Sequence, residues 1–202
     1  VYIDFADPKN PVVEKVDYDF DHSGYTLCTI DSGADHADLT DESAAMPVEM
    51  KAVAAFFGKE VLHDVDETAF YRHIAEVRKV TGDRAVLRAI HFFNENRRVK
   101  SQVQALKDGD FDAFLHLVNA SGMASWTLLQ NVTPAGYIQK QDMAFTIALC
   151  PQLLEGEGAV RVHGGGFAGT AVAFVPNDRF DRFKTCVEHV LGEGHCPKLT
   201  IR

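Results

Sequence analysis

Apolar and polar positions in the first third of the chain follow the short spacing that is typical of β-strands. Val16, Tyr18 and Phe20 alternate with charged residues, and residues 25–30 form a continuous run of β-prone side chains. The predicted strands are 1–5, 13–20 and 25–30. Because Pro, Asn and Gly lie in the turns between them, we expect an antiparallel meander.

In the middle of the chain most apolar residues are three, four or seven positions apart, which is typical of a helix with one buried face. Pro47 suits the first turn of a helix and Gly58 its end, whereas Asp83 and Asp110 suit the start of two further helices. The predicted helices are 47–57, 66–80, one from 83 to 107, one that starts at 110, a short turn at 125–129, and 139–154.

The last part of the chain changes character again. A predicted strand, 159–162, leads into a glycine-rich loop, 163–169, which is followed by a strand, 170–175. A helix capped by Asn177 or Asp178 runs to residue 191, and 199–201 is a last strand. This order predicts an α+β fold in which helices pack on one face of an antiparallel sheet.

The glycine-rich loop is the strongest local signal for function. Gly164, Gly166 and Gly169 match the spacing of a dinucleotide-binding loop. That motif requires a helix directly after the loop, and residues 170–175 are typical of a strand, so we exclude this interpretation. Two alternatives remain, a wide hairpin that packs against a neighbouring segment and a loop beside a phosphate pocket.

A second candidate follows the predicted strand 25–30. Asp31, Asp35 and Asp38 lie close in sequence to His36. Loops that follow strands often carry function, and this set suits metal or sugar binding. The same residue types also cap helices and stabilise turns, so both interpretations stay open.

Composition and charge exclude several classes of protein. The chain has 202 residues, of which 46% are hydrophobic and 24% charged, as in ordinary globular proteins. The net charge is −9, and the first 50 residues hold 12 acidic and 2 basic side chains, so we expect no nucleic-acid partner. No apolar run approaches the ~18 residues of a membrane span, so we expect no membrane partner.

The cysteines and histidines give no indication of a metal site. The four cysteines are scattered and form no CxxC pair, which argues against a zinc ribbon and suits the reducing cytosol. His189, His195 and Cys196 come from unrelated predicted elements, and a metal needs three or four converging ligands. We therefore predict a cytoplasmic protein without a metal bound by this chain.

Several segments together resemble a known family. Residues 161–170, Arg-Val-His-Gly-Gly-Gly-Phe-Ala-Gly-Thr, look like the third motif of the GHMP small-molecule kinases. The galactokinase branch of that superfamily is also similar, in the same order, to four further segments, namely 30–39, 94–99, 129–131 and 175–176. The resemblance covers nearly the whole chain.

This resemblance implies a fold and a set of site residues. The fold would be the ferredoxin-like C-terminal lobe of a GHMP kinase, with a β-rich segment at 1–45 and the lobe itself at 46–202. The glycine loop would support the phosphate site through residues Gly164, Gly165, Gly166, Phe167 and Gly169. The sugar-side candidates are Ser43, Asp31 and His36, with no catalytic residue and no metal ligand in this chain.

The resemblance also implies an activity, the transfer of the ATP γ-phosphate to the C1 hydroxyl of galactose with Mg²⁺. The family's sugar-binding motif, its phosphate loop and its catalytic aspartate are not found in this sequence, which starts at Val1 without Met. We therefore expect a C-terminal half whose partner is an N-terminal lobe. Because phosphoryl transfer depends on positioning and electrostatic stabilisation, we expect this half alone to be inactive, with no tightly bound ATP or Mg²⁺.

Two alternatives stay open, and the first of them rests on a departure from the family. Ser43 stands where the family usually has a Tyr that touches the sugar, and Ser is too short to stack as Tyr does. A related sugar-1-kinase, for example one that acts on N-acetylgalactosamine, is therefore an alternative. The other is a non-catalytic galactose and ATP sensor on the same fold.

Overall fold

The computed structural model describes residues 1–34 and 39–200, which form a mixed α and β structure. The strands are β1 (Tyr2–Asp4), β2 (Val12–Glu14), β3 (Tyr25–Asp31), β4 (Ala159–Val162) and β5 (Thr170–Pro176). The α-helices are α1 (Thr40–Phe56), α2 (Glu67–Arg72), α3 (Ile74–Thr81), α4 (Asp83–Lys107), α5 (Phe111–Ala124), α6 (Asp142–Leu154) and α7 (Phe180–Leu191). Shorter helical turns cover Phe20–His22, Leu62–Asp64, Ser125–Leu129 and Asn177–Arg179.

The main sheet is antiparallel and has the strand order β3-β5-β4. Strands β4 and β5 form a hairpin with the glycine loop at its tip, and the register pairs Val162 with Ala171. Strand β3 pairs with β5, which places Asp31 opposite Thr170. The first part of the chain therefore supplies an outer strand next to the glycine loop.

The predicted meander of the first three strands is wrong. Strands β1 and β2 pair only with each other, and 13–20 is a strand only in its first part. Strand β3 buries Cys28 and Ile30 on one face and packs Leu27 on the other. It therefore buries more apolar surface beside β5 than beside the hairpin of β1 and β2, where Val12 and Val13 are more than 60% exposed.

Helices cover both faces of the main sheet. Helices α6 and α7 pack on the face that carries Cys28 and Val160, and α5 packs on the opposite face with Leu27 and Phe174. The predicted α+β fold with an antiparallel sheet is confirmed. The prediction placed helices on one face of the sheet only, whereas they cover both faces. The second layer follows from residues 170–175, which are apolar at nearly every position, because a strand of this kind is buried on both sides.

Several helix boundaries differ from the prediction. Helix α1 starts at Thr40 and contains Pro47 in its interior, and the predicted helix 66–80 is divided at His73 into α2 and α3. Asp83 is the first residue of α4, since Gly82 takes the cap position. The predicted last strand, 199–201, is not formed at 199–200, where an isolated bridge between Lys198 and Cys28 comes just before it, and residue 201 lies outside the described residues.

Helices α1 to α4 pack together in a helical layer beside the sheet. Their core is built around Val53, Phe70, Val77 and Phe93, and α4 extends from this core to α5. Helix α4 therefore links the helical layer to the sheet. The predicted division of the chain at residue 45 stays a prediction.

Candidate functional site

The glycine loop closes the hairpin of β4 and β5. At its base the amide of His163 donates to Thr170 O at 2.9 Å, and His163 Nδ1 lies 3.1 Å from Thr170 Oγ1. Within the loop Gly164 and Gly166 have φ values of 72° and 83°, which a residue with a Cβ rarely adopts. Glycine is therefore required at 164 and 166 by the path of the backbone.

Asn131 holds the centre of this loop. A Cβ placed on Gly166 would lie 2.1 Å from Asn131 O and 2.5 Å from Asn131 Nδ2. The amide of Phe167 donates to Asn131 O at 2.5 Å, and Asn131 Nδ2 donates to Gly165 O at 3.1 Å. Gly166 is thus required for close packing against Asn131 as well as for its backbone conformation.

The side chain of Phe167 packs the loop against Leu39, the residue that precedes α1. Its side chain is 2% exposed and packs with Leu39 and Ala168, although its own φ is 63°. A cavity of about 260 Å³ lies beside it, and Phe167, Leu39, Tyr137 and Asp142 are among the residues that line it. The buried ring provides contacts that offset the cost of a left-handed backbone.

The first part of the loop is open. A Cβ built on Gly164 or on Gly165 would meet no other atom within 4 Å. This part of the loop therefore has room for a ligand at its backbone, in contrast to the tightly packed Gly166.

Asp31 is brought to the loop by the sheet. It lies opposite Thr170 at the end of β3, with an exposed side chain whose Oδ1 accepts the Gly33 amide at 2.9 Å. The next residue, Ser32, donates from Oγ to Gly169 O at 2.7 Å. The chain that follows β3 is therefore bonded to the end of the glycine loop.

The other sugar-side candidates are placed less directly. Ser43 is exposed in the second turn of α1, and its amide donates to Leu39 O at 3.1 Å. Because Leu39 packs against Phe167, Ser43 lies one turn from the loop contact. His36 lies outside the described residues.

Sequence reasoning missed Arg88, which is 0% exposed in α4. Its Nε donates to Leu129 O at 3.0 Å and its Nη1 to Glu49 Oε2 at 2.8 Å, while Nη2 has no hydrogen-bond partner. Burial lowers the pKa of Arg88, and the charge of Glu49 acts in the opposite direction. Leu129 is two residues before Asn131, so the segment 129–131, which carries part of the resemblance, is also the sequence signal for this contact.

A second buried polar cluster links α4 to β4. Ser121 donates to Glu95 and accepts a hydrogen bond from Arg161 Nη1 at 2.6 Å. Burial lowers the pKa of His91, whose Nδ1 has no partner, and Glu95 raises that pKa in part, whereas Arg98 and Arg161 lower it further. This cluster packs the helical layer against the sheet behind the loop.

Within 1–34 and 39–200, no group of three or more His, Cys, Asp or Glu side chains is arranged to hold a metal ion. None of the helices in the same ranges is both long enough and apolar enough to cross a membrane.

Two solved structures share the fold of this chain. Galactokinase of Lactococcus lactis, solved with galactose, matches 94% of this chain with a TM-score of 0.66 and 21% identity, and the match covers 47% of that protein. Mevalonate kinase of L. major, solved with R-mevalonate, matches 94% of this chain with a TM-score of 0.53 and 12% identity, over 45% of its length. The chain has the fold of the GHMP small-molecule kinases.

Within that class the chain is similar to galactokinases. Those of Glaesserella parasuis serovar 5 and Actinobacillus succinogenes are 27% and 28% identical to it over 81% and 82% of its length. The galactokinase of Haemophilus influenzae is 28% identical over 78%. The predicted resemblance is confirmed, and the chain spans about 40% of the length of these curated relatives, in their C-terminal part. No protein-family model matches the chain.

Proposed function

We propose that this chain is the C-terminal part of a galactokinase, which transfers the γ-phosphate of ATP to the C1 hydroxyl of galactose. The observation that carries the proposal is the similarity to curated galactokinases over about four fifths of the chain. The fold alone does not select the substrate, because a mevalonate kinase shares it.

The open part of the glycine loop supports a role next to the phosphates. Gly164 and Gly165 leave space at the backbone, while Gly166, Phe167 and Gly169 are held by packing or hydrogen bonds to other segments. A rigid loop with an accessible backbone can approach a phosphate closely and keep the neighbouring segments in place. In our proposal the loop supports the phosphate site and does not itself carry out the transfer.

The sugar-side roles of Asp31, Ser43 and His36 belong to the same proposal. Asp31 is supported by its position beside the loop, and Ser43 by its position one turn from Leu39. ATP with Mg²⁺ would supply the phosphate and the charge neutralisation, and we place the reaction in the cytoplasm. The base, the phosphate loop and the magnesium ligands would belong to an N-terminal lobe, so we propose that the chain alone is inactive.

The test is a product assay with the longest gene product that contains this chain. The protein is incubated with ATP, Mg²⁺ and a panel of sugars that includes galactose and N-acetylgalactosamine, and the products are identified by mass spectrometry and NMR. Galactose 1-phosphate as the dominant product supports the proposal. The 202-residue chain, assayed in parallel, is expected to give no product.

Two other outcomes would contradict the proposal. Dominant turnover of another sugar would assign the protein to a related sugar-1-kinase, which the exposed Ser43 leaves open. Binding of galactose and ATP in calorimetry without any turnover would assign it to a sensor on the same fold.

A further inference from the structure

We propose that Asn131 is a positioning residue, which sets the conformation of the glycine loop through its side-chain amide and its backbone carbonyl. This inference rests on the proposed function for its kinetic consequence, but its structural part stands on the contacts alone. Asn131 is 3% exposed and lies outside the loop in sequence, in the segment that follows α5.

Two hydrogen bonds between Asn131 and the loop lie on either side of Gly166. Its side chain bonds to the carbonyl of the residue before Gly166, and its carbonyl bonds to the amide of the residue after it. The pair of bonds fixes the orientation of two successive peptide groups. Since Gly166 has no Cβ, Asn131 approaches the loop backbone more closely than any other residue type at 166 would permit.

The position of Asn131 is itself fixed from α4. Gln130 has a left-handed φ of 55°, and the amide of Asn131 donates to Ser125 O at 3.3 Å. Two residues before Asn131, Leu129 O accepts the hydrogen bond from the buried Arg88. A continuous set of contacts therefore leads from the pair of Arg88 and Glu49 through the segment 129–131 to the loop.

This arrangement explains a polar side chain that is otherwise costly. Burial of an amide with an unpaired oxygen is unfavourable, and Asn131 Oδ1 has no hydrogen-bond partner. An apolar residue of similar size would avoid that cost, but it would not donate to Gly165 O. The hydrogen bond to Gly165 O, which needs a side-chain donor, therefore explains why Asn is present at this buried position.

The proposal predicts a specific effect on the loop. In the longest gene product that contains this chain, Asn131→Asp retains the shape of the side chain and removes the donor to Gly165 O, and Asn131→Ala removes the side chain altogether. We expect hydrogen exchange of a peptide covering 163–170 to be about tenfold faster in both variants. We also expect kcat/KM for ATP to fall about tenfold, with the KM for the sugar unchanged, since about one hydrogen bond is lost.

Asn119→Ala is the matched control. Asn119 Nδ2 donates to Gly158 O and its Oδ1 accepts the Val160 amide, both at 3.1 Å, at the other end of β4. This variant also removes a side-chain hydrogen bond to a glycine carbonyl next to β4. It should lower thermal stability and leave both the exchange of 163–170 and kcat/KM for ATP unchanged.

The readouts separate the two proposals. Exchange of 163–170 that is equal in the Asn131→Asp variant, the control and the unsubstituted protein would overturn the positioning role, whatever the activity. Faster exchange restricted to the Asn131 variants would support it, even if the unsubstituted protein transfers no phosphate and the proposed function fails. A fall in kcat/KM for ATP that Asn119→Ala reproduces would also count against the positioning role.

Discussion

Replacement of Gly166 by Ala should destabilise the protein more than the same change at either neighbouring glycine. The new Cβ would lie 2.1 Å from Asn131 O, 2.5 Å from Asn131 Nδ2 and 2.8 Å from Asn131 Cγ. Two of these atoms belong to a side chain that is buried, and the third is backbone, so the contact cannot be relieved by a rotamer change. The loop or the segment 129–131 would have to move.

The magnitude follows from two separate effects. A φ of 83° costs a residue with a Cβ about 1–2 kcal/mol, and overpacking of a buried contact typically costs about 1–3 kcal/mol. Together they predict a loss of about 2–5 kcal/mol in the free energy of unfolding. In a protein of this size that corresponds to a fall in Tm of about 4–20 °C.

Gly164 and Gly165 separate these effects experimentally. Gly164→Ala meets open space but has a φ of 72°, so only the backbone cost of about 1–2 kcal/mol applies. Gly165→Ala meets open space at a φ that is not in the left-handed region, so we expect a change within about 0.5 kcal/mol. Urea unfolding of the three variants tests the order, and a Gly166→Ala variant as stable as Gly164→Ala would refute the reasoning from close packing.

Three further predictions concern buried groups outside the loop. Arg88→Met should lower the free energy of unfolding by about 1–3 kcal/mol, because it removes the donor to the buried Leu129 carbonyl and leaves Glu49 bonded to Arg84 alone, and urea titration measures this. Burial holds the pKa of His91 below its usual 6.5, so protonation of His91 destabilises the folded protein as the pH falls below that value. Thermal melts between pH 8 and 5 should show a falling Tm, and the fall should be smaller in His91→Gln. Burial raises the pKa of Cys150 to about 12, so iodoacetamide should modify the half-buried Cys186 first in the native protein, as peptide mass spectrometry would show; equal rates would contradict the packing.

Local sequence was sufficient to predict most elements and the loop between β4 and β5. Apolar spacing placed α4 and α7 close to their observed ranges, and the β-prone run at 170–175 correctly excluded a dinucleotide loop, because β5 and no helix follows. The glycine spacing also marked the residues whose backbone is left-handed. These features depend on neighbours along the chain, so periodicity and turn chemistry reveal them.

Tertiary contacts decided the features that sequence reasoning missed. The pairing of β3 with β5 joins strands that are far apart in the chain, and no local pattern distinguishes that partner from the nearer β2. In the same way the run of glycines at 164–166 indicated a loop. Only the folded chain shows that the space around Gly165 is empty and that the space around Gly166 is filled by Asn131.

The amino-acid sequence was enough for the class of fold, the glycine loop and the resemblance to galactokinases. Only the folded chain shows which helices cover each face of the sheet, that Asp31 lies beside the loop, and that Arg88 and Asn131 hold the loop through buried hydrogen bonds. The physical reason is that local conformation follows from the steric and hydrogen-bonding preferences of adjacent residues, whereas buried polar contacts depend on which distant segments the hydrophobic core brings together.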